Sequence, residues 1–137
     1  MAEGLARRAI SRRLSCADED LAALGFKVSS AGIYAFGGGP ASKHSLDQMA
    51  QREIDLSKHA ASAADAAALK DADEIYCLTS GHLEAVRELM PPGDTGANLL
   101  DPRGRDIPDP IGGSSHDYER CADLIAECIE ERLTDWA

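Results

Sequence analysis

Two short runs of strand-forming residues, each followed by a helical pattern, constrain this chain more than any other feature. Residues 73–78 put Ile75 and Tyr76 at the centre of an extended run, and β-branched and aromatic residues favour a strand there. Thr79 or Ser80 then caps a helix reaching about Met90, where Pro91 and Pro92 stop it. Residues 26–31 form a second run, ended by Gly32, and residues 97–100 predict a third. Strands alternating with helices pair in parallel through right-handed crossovers. The expected fold is therefore α/β, a three-layer sandwich with a parallel sheet flanked by helices. Ligands in such sheets sit at the carboxyl ends of strands, in the βα loops.

The helices read from periodicity and caps. Residues 2–24 carry Leu5, Ala9, Leu14, Leu21 and Leu24 up to a stop at Gly25, with Asp18-Glu19-Asp20-Leu21 as an alternative start of a separate turn after Cys16. Residues 41–52 predict a second helix, and Ser62 with Asp65 fits a capping box opening an alanine-rich segment to Lys70. Ser114 or Ser115 caps the last helix, whose apolar stripe is Tyr118, Cys121, Ile125, Cys128 and Ile129. One feature is unusual: the chain opens straight into a helix with no strand to feed it. Three strands are also few for a sheet of this class, which has about four or more.

A length of 137 residues predicts a single domain. The net charge of −10 repels nucleic acid and anionic lipid, so neither is an expected partner. Arg7, Arg8, Arg12 and Arg13 fall on one helical flank and read as a solvated surface. No stretch is long and apolar enough to span a membrane, and no signal peptide is visible. Four cysteines in such a chain predict reduced thiols and a cytoplasmic location. Cys121 and Cys128 stack on one helical face as core thiols, and Cys16 and Cys77 make no C-x-x-C pair. No metal or cofactor is expected, and the oligomeric state is left open.

The order of short motifs resembles the low-molecular-weight protein-tyrosine phosphatase family over essentially the whole chain. Met1-Ala2-Glu3-Gly4 opening a long helix resembles the segment after that family's phosphate loop. Val28-Ser29-Ser30-Ala31-Gly32 resembles its second strand and S-A-G turn. Glu53-Ile54-Asp55-Leu56-Ser57-Lys58-His59 matches its G-I-D-L-S-x-H element, with Glu53 where glycine is usual. Ala72-Asp73-Glu74-Ile75 and Leu78-Thr79-Ser80-Gly81-His82 match the A-D-x-I strand and the M-T-x-x-H that follows. Asp109-Pro110-Ile111-Gly112-Gly113 matches the D-P-x-G loop before the last helix.

The resemblance implies a cysteine phosphatase acting on phosphorylated proteins. Its nucleophile lies in a C-x-x-x-x-x-R-S loop between the first strand and first helix, just before the residues matching Met1-Ala2-Glu3. A thiolate activated by the helix N-terminus attacks phosphorus, while an arginine and backbone amides hold the phosphoryl oxygens. A carboxylic acid protonates the leaving atom. By this correspondence Asp109 is the general acid and base, although on residue type alone an aspartate between prolines is a turn former. Tyr34 and Phe36, in the loop after the second strand, are expected to line the substrate cleft or to pack beneath that loop. Position 111, usually aromatic, is Ile111, and the D-P-x-G-G form also resembles the arginine-phosphatase branch, so phosphoarginine stands beside phosphotyrosine as a substrate. Asp106 lacks a following proline and reads as a loop residue.

No cysteine here has the arginine six positions on that the loop needs: those positions are Ala22, Leu83, Glu127 and Thr134. The expectation is a domain truncated at its N-terminus, begun at an internal methionine, without the first central strand and inactive as it stands. A central strand buries apolar side chains worth roughly 6–12 kcal/mol, against a typical net stability of about 5–15 kcal/mol. The competing reading is a pseudophosphatase acting as a binding module. A nucleotide loop at Gly37-Gly38-Gly39-Pro40 is disfavoured because a third spaced glycine is missing and Pro40 removes an amide. Arsenate-reductase chemistry needs further reactive cysteines, which the spacing of Cys121 and Cys128 does not suggest. His44, His59 and His82 have no partners at metal spacing and read as structural or exposed, with an orienting role open for His59.

Overall fold

The computed structural model describes the chain except residues 33–40, 58, 60–61, 63, 92–95 and 136–137. Tyr34, Phe36 and the glycine run at 37–39 fall outside the described residues.

Helix α1 (Ala2–Arg13) buries Leu5, Ala9 and Ile10, one face at helical spacing, and packs mainly on the long helix α5 (Ser115–Thr134). The helix expected over residues 2–24 ends at Arg13, eleven residues early. Ser15 adopts a left-handed φ of 53°, its amide donates to the Arg12 carbonyl, and the Cys16 amide donates to Ser11. That double bond pattern is the Schellman motif, here with serine in the position usually held by glycine. A single 3-10 turn, Asp18–Asp20, follows. Arg8 locks it back onto the helix through the Asp18 carboxylate, which also accepts the Ser11 hydroxyl.

Helix α2 (Lys43–Gln51) starts at Ser42, whose hydroxyl accepts the Ser45 amide. The short α3 (Ala66–Lys70) is capped by the Asp65 carboxylate, not by Ser62 as the sequence suggested. Ser62 instead lends its carbonyl to the Gly32 amide at 2.7 Å, while the Gly32 carbonyl accepts from Ala64. That bridge is the only ladder pairing near residues 26–32 among the described residues. The expected strand over 26–31 is not formed; the segment has no regular secondary structure and is mostly exposed. A strand needs a partner along its length, which local propensity does not supply.

Strands β1 (Ile75–Cys77) and β2 (Ala97–Leu99) pair in parallel, Tyr76 opposite Asn98, with α4 (Ser80–Leu89) between them in sequence. Alternation along β1 sends Ile75 and Cys77 to one face, where they meet Val86, Leu83, Met90 and Ala97. Tyr76 and Leu78 turn to the other face and join the larger core of α1, α2 and α5, with Ile107 and Ile125 almost wholly buried. Helices thus cover both faces of a parallel sheet. The α5 stripe read from the sequence, Tyr118, Cys121, Ile125, Cys128 and Ile129, is buried throughout. Burying each full-sized aliphatic side chain of this core contributes about 1.5–3 kcal/mol.

Candidate active site

The segment leading into α5 is held by its own sequence. Rings fix φ at Pro108 and Pro110, and Asp109, preceding a proline, is confined to extended conformations. The Asp109 carboxylate then accepts the Ile111 amide at 3.0 Å. Pro110 to Gly113 form a turn closed by the Gly113 amide on the Pro110 carbonyl, 2.8 Å away. Its third residue, Gly112, has a φ of 79°, the value a type II turn demands. Gly113 has a different reason to lack a side chain, because a Cβ there would lie 2.8 Å from the Pro110 carbonyl oxygen. Ser114 caps α5 reciprocally with Asp117, its hydroxyl accepting the Asp117 amide and the Asp117 carboxylate accepting the Ser114 amide. The turn carries Ile111 at its tip, 78% exposed, with Asp109 also exposed beside it.

Behind this turn lies the beginning of α1. The Cys121 thiol is 3.7 Å from the Pro108 carbonyl. Burial pushes that thiol up, the Asp109 charge pushes it the same way, and the amino group of Met1 opposes them. Burial in turn pushes the Met1 amino group down, against the attraction of Glu3. Cys121 therefore feels both Asp109 and the Met1 amino group, and Met1 and Ala2 pack in the same apolar cluster as Cys121 and Ile107.

Glu3 organises the opposite side of that helix end. Its carboxylate accepts from Arg7 at 2.9 Å and from the Ser30 hydroxyl at 2.6 Å, and His59 Nδ1 lies 3.7 Å away. Arg7 also donates to the Val28 carbonyl. These contacts lay residues 28–30 and the segment reaching His59 onto the first turn of α1. Gly4 allows the close approach, since a Cβ there would meet Ile54 Cγ2 at 3.0 Å.

The sequence candidates thus separate. Asp109 and Ile111 share one turn ahead of α5; Tyr34 and Phe36 lie outside the described residues. His59 is half-buried next to Glu3, whereas His82 contributes its amide to the Thr79 cap and His44 stacks on buried Tyr118 at 5.0 Å. Glu3 was missed as an organising group, although its spacing to Arg7 is a visible helical ion pair. Asp106 was read as an ordinary loop residue, yet its carboxylate accepts both the amide and the hydroxyl of Ser80 at the start of α4.

All four cysteines are free, and each thiol is pushed above its ordinary value. For Cys77, Cys121 and Cys128 burial is the main cause, and for Cys16 burial is joined by Asp20 and Asp18. Each of these shifts disfavours the thiolate, the form that acts as a nucleophile. Among the described residues no group of three or more His, Cys, Asp or Glu side chains is placed to hold a metal ion. No described helix is long and apolar enough to cross a membrane.

The family model for low molecular weight phosphotyrosine protein phosphatases matches residues 1–137. No curated protein matches the chain. Among solved structures, a low molecular weight protein tyrosine phosphatase from T. tengcongensis superposes with a TM-score of 0.82 at 24% identity, covering 98% of this chain and 88% of that one. The YwlE arginine phosphatase from Geobacillus stearothermophilus gives 0.79 at 25% identity, covering 98% and 83%. Vibrio vulnificus Wzb in complex with benzylphosphonate gives 0.79 at 22% identity, covering 96% and 88%.

Proposed function

Because the chain belongs to the low molecular weight phosphotyrosine protein phosphatase family, we propose that the turn at Asp109 is the acid–base half of a phosphoprotein-hydrolysing site. The observation that carries this reading is the position of Asp109. Its exposed carboxylate is fixed by its own turn, and it acts on the same Cys121 thiol that the N-terminal end of α1 acts on.

The chemistry runs in two displacements. A cysteine thiolate seated at the α1 N-terminus attacks phosphorus, forming the S–P bond as the bond to the leaving oxygen or nitrogen breaks, and Asp109 gives its proton to that atom. Asp109, now a carboxylate, takes a proton from water as the water oxygen attacks phosphorus; the S–P bond breaks, the thiolate is restored and inorganic phosphate leaves. Backbone amides at the helix start and an arginine hold the phosphoryl oxygens during both steps. The sequence contains no cysteine with an arginine six positions on. These 137 residues alone are accordingly inactive, and the Cys-x5-Arg loop has to be delivered to the start of α1.

The substrate is a phosphorylated protein, with phosphotyrosine as the primary target. Ile111 gives phosphoarginine its claim, since the exposed tip of the turn offers an aliphatic surface and no ring to stack on an aryl group. A YwlE arginine phosphatase is among the similar folds. Free, unactivated thiols fit a reducing compartment, the cytoplasm.

The test compares the chain alone with the same chain carrying an apolar strand and a C-x-x-x-x-x-R-S-P segment ahead of Met1. The chain alone releases no phosphate from phosphotyrosine or phosphoarginine peptides. The extended chain does, and Asp109→Asn lowers its kcat by about 10²–10⁴-fold. A folded but inactive extended chain, or an unaffected Asp109→Asn, removes this reading. The four unactivated thiols favour one other outcome, that of a binding module. In that case the chain alone retains phosphopeptides without turning them over.

A further inference from the structure

We propose that Asp106 is a positioning residue for Asp109, an inference that rests on the acid–base reading above. The Asp109 turn has to be held against the rest of the molecule. On its C-terminal side the Gly113 turn and the Ser114 cap tie it to α5. On its N-terminal side three contacts occur in succession. Asp106 accepts the Ser80 amide at 2.8 Å and the Ser80 hydroxyl at 3.1 Å. The Ile107 amide donates to the Leu78 carbonyl at 2.8 Å, with Ile107 itself 1% exposed. The Cys121 thiol then approaches the Pro108 carbonyl.

Among these, Asp106 is the only charged anchor, and it is set at the N-terminus of a ten-residue helix. A carboxylate accepting two donors there makes charge-assisted bonds, roughly twice as strong as neutral ones, and is favoured by the helix dipole. Thr79 already caps α4 through the His82 amide. The Asp106 contact therefore adds a cross-link from α4 to the catalytic loop, three residues ahead of Asp109. With φ fixed at Pro108 and Pro110, fixing the backbone at Asp106 and Ile107 leaves Asp109 little freedom to move away from the Pro108–Cys121 contact.

Amide hydrogen exchange on the 137-residue chain reads this directly. Asp106→Ala speeds exchange at Ile107 and Ile111 by about tenfold, the value of one lost anchor, and leaves Ile125 in the middle of α5 unchanged. Asp106→Asn keeps one acceptor for the Ser80 amide and restores most of the protection, while Ser80→Ala gives an intermediate loss. Equal acceleration at Ile125, or no change at Ile111, overturns the proposal. In the chain carrying the Cys-x5-Arg segment, Asp109→Asn impairs kcat more for phenyl phosphate than for p-nitrophenyl phosphate, whose leaving group needs no proton. Asp106→Ala reproduces that leaving-group dependence with KM unchanged. If Asp109→Asn shows the dependence and Asp106→Ala does not, the positioning role is wrong. If Asp109→Asn shows none, the acid–base reading falls, and the exchange data alone decide whether Asp106 holds the turn.

Discussion

Glu53 sits at a φ of 62° and turns its carbonyl onto the Arg8 guanidinium, 2.6 Å away. Arg8 also holds the Arg52 carbonyl and the Asp18 carboxylate, so the exit of α2 is clamped across α1. The clamp uses the Glu53 backbone, and its side chain only suffers the conformation. A residue with a Cβ in the left-handed region is strained by about 1–2 kcal/mol; glycine avoids this but loses about 0.4–1 kcal/mol more entropy on folding. Glu53→Gly is therefore expected to stabilise the chain by about 0.5–1 kcal/mol. A higher urea midpoint with an unchanged m-value checks it, and a lower midpoint would mean that the glutamate side chain contributes something else.

Two other glycines distinguish backbone strain from lack of room. Gly104 has a φ of 77° and no atom within 4 Å of a Cβ built there, so Gly104→Ala meets only the conformational term, about 1 kcal/mol. At Gly113 a Cβ would lie 2.7 Å from the Asp117 carboxylate and 2.8 Å from a backbone oxygen that cannot rotate away. Gly113→Ala is expected to cost about 2–3 kcal/mol and to disturb the Asp109 turn. Equal losses for the two variants in parallel urea melts would refute the difference.

Acid should unfold the chain through two particular carboxylates. Asp101, 1% exposed, is held below its ordinary value by the Arg103 amide, against its own burial, and by the Arg105 side chain. Asp117 is held down by the Ser114 amide. A depressed folded value means that the stabilisation is present above the unfolded value of 3.8 and is lost as pH falls through the folded one. Stability measured from about pH 6 down to about pH 3 should fall in wild type. Asp101→Asn should start lower and fall less; an unchanged slope would exclude Asp101 as a source.

What could be read from the sequence was what depends on neighbours in the chain. The stripe of α5, the Thr79 cap and the β1 centre at Ile75 and Tyr76 are local patterns, and the structure keeps them. The stop of α1 was hidden because serine at position 15 carries no glycine signal for a left-handed residue. The strand over 26–31 was over-read because its propensity is local while its pairing is not. The structure places Asp109 and Ile111, which the family resemblance had singled out, together in one turn. The Asp106–Ser80 contact spans 26 residues, and no spacing rule announces it. Glu53, flagged only as a departure from a usual glycine, proved to occupy the conformation that glycine would serve.

The thiols give the most direct check on whether any of the four cysteines is a nucleophile. Burial raises all four, so at neutral pH each is held as a thiol, and the stability this adds is lost as pH rises beyond the ordinary value of 9.0. A disulfide reagent at about pH 8 should find Cys16 first, because it is only half-buried. Cys77, Cys121 and Cys128 should react at least tenfold more slowly than after unfolding in urea, at a rate set by opening of the core. An activated cysteine behaves in the opposite way, reacting faster in the folded chain than in the unfolded one. If any of the four does so, and phosphotyrosine peptides protect it, the chain holds its own nucleophile, and the proposal that a separate Cys-x5-Arg loop must be supplied is wrong.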